Sequence, residues 1–142
     1  MAEYLRLIAM RRWNRATRCL IKKNQAENLA QQIAVRGYNV TQEGRSEAAI
    51  RFFTSAREIG KSDRTVGMIN FFHGYALVRQ ADGILRDATT AAPARRALPM
   101  LQQAKTLLEG AGAYTEQAAQ RGTLLQNVQQ YMEMAKALID MG

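Results

Sequence analysis

The chain has 142 residues, a formal net charge of +8 and 47% hydrophobic residues, so it is long enough for one domain and apolar enough to bury a core. Its only cysteine, Cys19, excludes an internal disulfide and a cysteine-based zinc site. Its only histidine, His73, has no acid or nucleophile at helical spacing, and no glycine-rich phosphate loop is present. We therefore expect a non-enzymatic protein without a cofactor or metal site, in which His73 packs in the core and Cys19 is half-buried.

Most of the net positive charge lies in the first 23 residues. This segment has seven Lys and Arg residues against Glu3 alone, a local charge of +6. The candidate anion-binding side chains are Arg11, Arg12, Arg15, Arg18, Lys22 and Lys23. Three interpretations stay open: a solvated face on a helix that covers one end of the fold, contact with nucleic acid or a ribosome, and binding at a membrane interface through Trp13 and Leu5.

The hydrophobic periodicity is helical throughout and predicts an all-α fold of about six helices. The first helix spans about residues 3–22 and carries the basic residues. Asn24 and Glu27 have the spacing of a capping pair, which predicts that a second helix begins there. This second helix reaches about Gln42 and is broken by Gly44.

The third helix spans about residues 46–59, and we expect Gly60 to end it in a left-handed conformation. Ser62 or Asp63 can cap the fourth helix, which continues to about Asp87.

Proline and glycine mark the remaining boundaries. Pro93 favours the first turn of a fifth helix that ends before Gly110, although Pro99 must either kink this helix or mark its true start. The last helix spans about residues 114–140. Short connections between all the helices predict that sequence neighbours pack antiparallel.

Two stretches share a pattern that is typical of closely packed helix pairs. In each, a glycine in one helix is followed in the next helix by alanine, a large residue and alanine; the two sets are Gly37 with Ala49, Phe53 and Ala56, and Gly74 with Ala97, Leu101 and Ala104. Small residues at a crossing let the helices approach closely, and the large residue fills the space beside them.

The first stretch, residues 30–63, resembles the tetratricopeptide repeat family. The matching small and aromatic positions are Gly37, Gly44, Ala49, Phe53 and Ala56. The stretch departs from the family pattern at Ile33, Arg36 and Lys61, where tryptophan, leucine and proline are usual. A second unit, residues 67–110, has 11 extra residues between its glycine and its alanine stripe. Residues 114–140 resemble the helix that often closes such arrays.

The resemblance implies that residues 1–142 form one helical domain, a short right-handed α-solenoid of antiparallel hairpins. It also implies an adaptor or scaffold that binds a peptide or helix in a concave groove. By register, the groove residues are Tyr38, Gln42, Met68, Phe71, Tyr75, Val78 and Arg79. Two repeats are fewer than a self-sufficient solenoid needs, so self-association is a further expectation. The alternative function is a nucleic-acid- or ribosome-associated protein that binds through residues 6–23.

The adjacent residues Phe71 and Phe72 point in different directions on a helix. We therefore expect one of the two rings to need a second burial surface, supplied by a neighbouring helix or by a ligand.

The sequence also bears on cellular location. No apolar run approaches the roughly 20 residues that span a bilayer, so no transmembrane segment is expected. The apolar run Leu7 to Met10 is too short for a secretory signal. A cytoplasmic protein is the resulting expectation.

Overall fold

The computed structural model describes residues 2–142 and is all-helical in that range, as the periodicity predicts. It contains five α-helices rather than six, and a 3-10 turn at Thr115–Gln117. The helices are α1 (Ala2–Gln42), α2 (Ser46–Ile59), α3 (Asp63–Leu85), α4 (Ala91–Glu109) and α5 (Ala118–Met141).

The missing boundary lies in α1, which is continuous where two helices were predicted. Asn24 and Glu27 do not cap a helix start. Instead, the Glu27 carboxylate accepts hydrogen bonds from the backbone N–H of Lys61 at 2.8 Å and from the Ser62 hydroxyl at 2.9 Å. Glu27 thus fastens α1 to the α2–α3 turn, and the neighbouring Thr65 hydroxyl and these donors lower its pKa to about 2.

The turns follow the sequence signals at two of three positions. Gly44 has φ 83°, a left-handed conformation that separates helix α1 from helix α2. Ser62 caps α3, because its hydroxyl oxygen accepts from the backbone N–H of Thr65. The prediction for Gly60 is wrong, since its φ is −88°. Gly60 is required for space instead: a Cβ there would lie 2.7 Å from the Cβ of Ala30.

Both prolines belong to α4. Pro93 lies in its first turn, and Pro99 lies inside the helix rather than at its start. Pro99 and Arg95, whose carbonyl loses its helical partner, are both exposed. Water can therefore replace the missing hydrogen bond, which lowers the cost of a proline inside the helix.

The helices form two layers. Each helix packs against the next one in sequence, and in addition α1 packs on α3 and α3 packs on α5. The helices α2 and α4, both within the described range 2–142, do not contact each other. One layer is therefore built from α1, α3 and α5, and the other from α2 and α4.

Each hairpin closes by placing a large side chain against a glycine. A Cβ on Gly37 would lie 2.7 Å from Cε1 of Phe53, and a Cβ on Gly74 would lie 2.8 Å from Cγ of Leu108. Phe53 is the large residue that the repeat pattern predicts. In the second hairpin, Leu108 takes this place rather than the predicted Leu101, because the longer α3 sets Gly74 about two helical turns further from the connecting turn.

We predict that Gly37→Ala and Gly74→Ala each lower the free energy of unfolding by about 1–2 kcal/mol. The added methyl group overpacks against a fully buried Phe53 or Leu108, and this cost exceeds the gain in helix propensity. Urea denaturation followed by far-UV circular dichroism measures the effect.

The matched control is Gly83→Ala, which makes the same change on α3 where no atom lies within 4 Å of the added carbon. This variant should be as stable as the original chain or more stable by up to about 1 kcal/mol. Equal stability of all three variants would contradict the close packing of the hairpins.

Candidate functional site

A cavity of about 600 Å³ lies between α1, α3 and the beginning of α5. Five aromatic rings line it: Tyr38, Phe71, Phe72, Tyr75 and Tyr114. The wall contributed by the chain around the start of α5 consists of Gln117, Ala119, Gln120, Thr123 and Leu124. The cavity thus combines apolar rings with a few polar side chains, which is the composition of a binding pocket.

The rings pack against one another as a continuous cluster. Tyr114 makes edge-to-face contacts with Phe71 and Phe72 at centroid distances of 5.8 and 5.7 Å. Tyr38 lies 5.0 Å from Phe72 and 5.7 Å from Tyr75. Phe71 and Phe72 are buried, whereas the three tyrosines are only half-buried. The phenylalanines therefore form the floor of the cavity and the tyrosines form its rim.

A neighbouring helix helps to bury the two adjacent phenylalanines, as expected. Phe71 and Phe72 both reach the same cavity and contact each other at 5.8 Å. The second burial surface comes from α1, because Phe72 packs against Tyr38 at 5.0 Å, and Tyr114 packs against both phenylalanine rings.

A polar network links the rim residues Tyr38 and Tyr75 to Gln42 and Arg79, which lie one helical turn further along α1 and α3. The Tyr75 hydroxyl donates to Oε1 of Gln42 at 3.0 Å, and Nε2 of Gln42 donates to the Tyr38 hydroxyl oxygen at 2.7 Å. The Arg79 guanidinium donates to Oε1 of Gln42 and to the Tyr75 hydroxyl oxygen. No acidic side chain forms an ion pair with Arg79 in residues 2–142. Arg79 therefore places a positive charge without an ion-pair partner at this end of the site.

The position of α5 completes the site. Tyr131 donates a hydrogen bond of 2.9 Å to Asp82 on α3, and Val128, Met132 and Ala135 bury the inner face of α5. At the other end, Arg64 pairs with Glu116 and lies 5.8 Å from the centre of the Tyr114 ring. Partial burial, together with the Glu116 charge, raises the pKa of Tyr114, so its hydroxyl stays protonated at neutral pH.

The structure brings together five of the seven predicted groove residues. Tyr38, Phe71 and Tyr75 line the cavity, and Gln42 and Arg79 belong to the polar network. Met68 and Val78 do not line it: they are buried in the core, so the prediction that they face a groove is wrong.

Sequence reasoning missed the far wall of the cavity. Phe72 was not assigned to the groove, Tyr114 lies in a connection, and Gln120 and Thr123 lie on a helix that was expected only to close the fold. An aromatic residue after two loop glycines was the only signal for Tyr114.

The six predicted anion-binding residues all lie on α1 and are all exposed. None of them forms a salt bridge to another part of the described chain, residues 2–142. Residues 2–25 of α1 do not cover an end of the fold, because only Ile8 among them is even partly buried. Cys19 is exposed rather than half-buried.

His73 is a packing residue, as expected. Its ring is buried and stacks on Phe53 at a centroid distance of 5.6 Å. Its Nδ1 lies 3.1 Å from a guanidinium nitrogen of Arg57, which also donates to Asn70. Burial and the Arg57 charge lower the pKa of His73 to about 4. The neutral ring thus accepts a hydrogen bond in the core.

Three further findings bear on function. No group of three or more His, Cys, Asp or Glu residues in the part of the chain from 2 to 142 could hold a metal ion. No helix in that part is both long enough and apolar enough to cross a membrane. Comparison with family models, with curated protein sequences and with solved structures finds no match to this chain.

We predict that the stability of the protein falls as the pH drops from 6.5 to 4.5. The unfolded chain protonates His73 near pH 6.5 while the folded chain keeps it neutral down to about pH 4. The folded state therefore loses about 2 kcal/mol relative to the unfolded state over this interval. Urea denaturation at intervals of half a pH unit measures the slope.

The control is His73→Gln, which retains an acceptor for Arg57 but does not titrate. Its stability should change little between pH 6.5 and 4.5. Carboxylates such as Glu27, with a pKa of about 2, lose most of their contribution below pH 4.5, so they add only a small part of the change in this interval. The same slope in both proteins would show that His73 is not responsible.

Proposed function

We propose that this chain is a tetratricopeptide-like adaptor that binds a protein segment in the cavity between α1, α3 and α5. The support for the repeat is the packing order: α1, α3 and α5 contact one another in turn, while α2 and α4 form the outer layer. In a right-handed solenoid of helix hairpins, the first helix of each pair lines the concave face.

The observation that carries the proposal is the aromatic cavity itself. Its rim rings, Tyr38, Tyr75 and Tyr114, come from positions far apart in sequence and converge on one opening. Tyrosine offers a large apolar face and a hydroxyl group with little conformational entropy to lose, which suits peptide recognition. An apolar side chain of a partner would occupy the space above Phe71 and Phe72.

The polar network indicates which groups of the partner lie next to that apolar side chain. Arg79 and the amide of Gln42 can bind backbone carbonyl groups or an acidic side chain one turn from the apolar anchor. The lysine and asparagine set with which some tetratricopeptide repeats clamp a C-terminal carboxylate does not line the cavity, so we favour an internal segment of the partner. The proposed ligand is thus an extended or helical segment with an apolar anchor.

We predict that Thr123→Arg weakens peptide binding at least about tenfold. Thr123 is exposed and lines the cavity, so a charged side chain there fills the space and must be desolvated by any apolar ligand. The ligands are 12-residue peptides selected from a random library on the intact chain. Fluorescence polarisation of the selected peptides measures the dissociation constant.

Gln126→Arg provides the charge-matched control, because Gln126 is an exposed residue of α5 that does not line the cavity. Its affinity should stay close to that of the original chain. Binding in the cavity should also change little with added salt, unlike binding to phosphate. Equal affinity of both arginine variants would place the peptide elsewhere and contradict the proposal.

A further inference from the structure

The first 24 described residues of α1 project from the packed part of the molecule. This projecting segment, residues 2–25, is about 36 Å long if it rises as a regular helix. Trp13 is 73% exposed and Leu20 is 59% exposed, and Tyr4, Leu5, Leu7 and Met10 are each more than half exposed. Large apolar side chains crowded on one unpartnered helix are unusual for a surface that faces only water.

The projecting segment carries an apolar stripe and a basic stripe. Residues spaced three and four apart lie on the same side of a helix. By this rule Leu5, Ala9, Trp13, Ala16 and Leu20 form an apolar stripe, and the structure shows a shallow groove along Leu5, Ile8, Ala9, Trp13 and Ala16. Arg11, Arg15, Arg18 and Lys22 form a basic stripe on the opposite side, which the same spacing continues through Leu7 to Tyr4.

The charges argue against a second copy of this helix as the occupant. Arg12 lines the same groove as Leu5 and Trp13, so pairing two copies along the apolar stripe would bring like charges together. Glu3 is the only acidic residue in the first 23 positions, and two such helices would each carry +6 with almost nothing to neutralise it.

Nucleic acid accounts for the basic residues but leaves the apolar stripe in water. Phosphate contacts neutralise Lys and Arg, and a base can stack on Trp13, but Leu5 and Leu20 stay in water. An anionic lipid surface satisfies both stripes, because the acyl boundary takes up the apolar side chains while the headgroups neutralise the cations. Arg12 can reach the headgroups by extending its long side chain from within the apolar stripe.

We propose that residues 2–25 bind anionic membranes as an amphipathic helix lying in the plane of the interface. The segment tethers the packed part of the molecule, and with it the cavity between α1, α3 and α5, to the lipid surface. This tethering is separate from peptide binding in the cavity and stands if that proposal fails.

Trp13 makes the test direct, because it is the only tryptophan in the chain. The intact protein is mixed with vesicles of neutral phosphatidylcholine, with or without 30% phosphatidylserine, and with poly(U) RNA. We expect a blue shift of Trp13 fluorescence on the anionic vesicles and quenching by lipids brominated on their acyl chains. Neutral vesicles should bind at least about tenfold more weakly, since the electrostatic attraction is lost.

Two leucines on the same helix provide a matched pair of variants. Leu20→Gln changes an exposed residue of the apolar stripe, and Leu29→Gln changes a residue that is 48% exposed but lies beyond the projecting segment. We expect Leu20→Gln to lower vesicle partitioning about tenfold and Leu29→Gln to leave it unchanged. Leu20 is already exposed, so the far-UV circular dichroism of the packed part should not change.

Three results would overturn the proposal. The first is an unshifted Trp13 spectrum in the presence of anionic vesicles. The second is binding to poly(U) RNA without any quenching by brominated lipid, which would assign the segment to nucleic acid. The third is a blue shift that depends on protein concentration and not on lipid, which would assign it to self-association. Quenching that is lost in Leu20→Gln alone supports the interfacial helix.

Discussion

The packing of Phe53 against Gly37 is the contact on which the remaining structure depends. Phe53 is fully buried, lies within 3 Å of the position where Gly37 would carry a Cβ, and stacks on His73 of α3. This one side chain of α2 therefore contacts both α1 and α3. Adjacent residues on a helix point in different directions, so with Gly37 against α2, Tyr38 is turned towards α3, where it meets Phe72 and Tyr75. The position of Tyr38 in the rim of the cavity therefore depends on the close packing of α1 against α2.

The molecule divides at Glu27 into two parts with different physical chemistry. After this residue, α1 buries a face of small side chains, including Ala30, Ala34 and Gly37, against its neighbours. Before it, the same helix is exposed on nearly every side and carries most of the net positive charge. The hydrogen bonds of Glu27 to Lys61 and Ser62 mark the point where the helix leaves the core. Packing explains the second part of α1 but not the first, and this difference motivates a partner for residues 2–25.

Local signals predicted the fold better than the site. Gly44 and Ser62 act at the ends of helices through their own backbone or hydroxyl group, and both were placed correctly. Asn24 and Glu27 carry the same kind of signal, yet the Glu27 carboxylate accepts a hydrogen bond from a turn 34 residues away. Met68 and Val78 share the helical spacing of Phe71 and Tyr75 but are covered by neighbouring helices. Spacing identifies a face of a helix and does not reveal how much of that face a neighbour covers.

The sequence by itself determined the all-α class, most helix boundaries, the glycine and alanine positions where hairpins close, and the concentration of charge in the first 23 residues. These features depend on backbone preferences and on periodicity within one helix, which are local properties. Only the tertiary structure decided that α1 is continuous, that Leu108 rather than Leu101 packs on Gly74, and that Tyr114 and Thr123 complete the cavity. Those outcomes depend on contacts between distant segments, Glu27 with the α2–α3 turn and α3 with α4 and α5, which no single segment encodes.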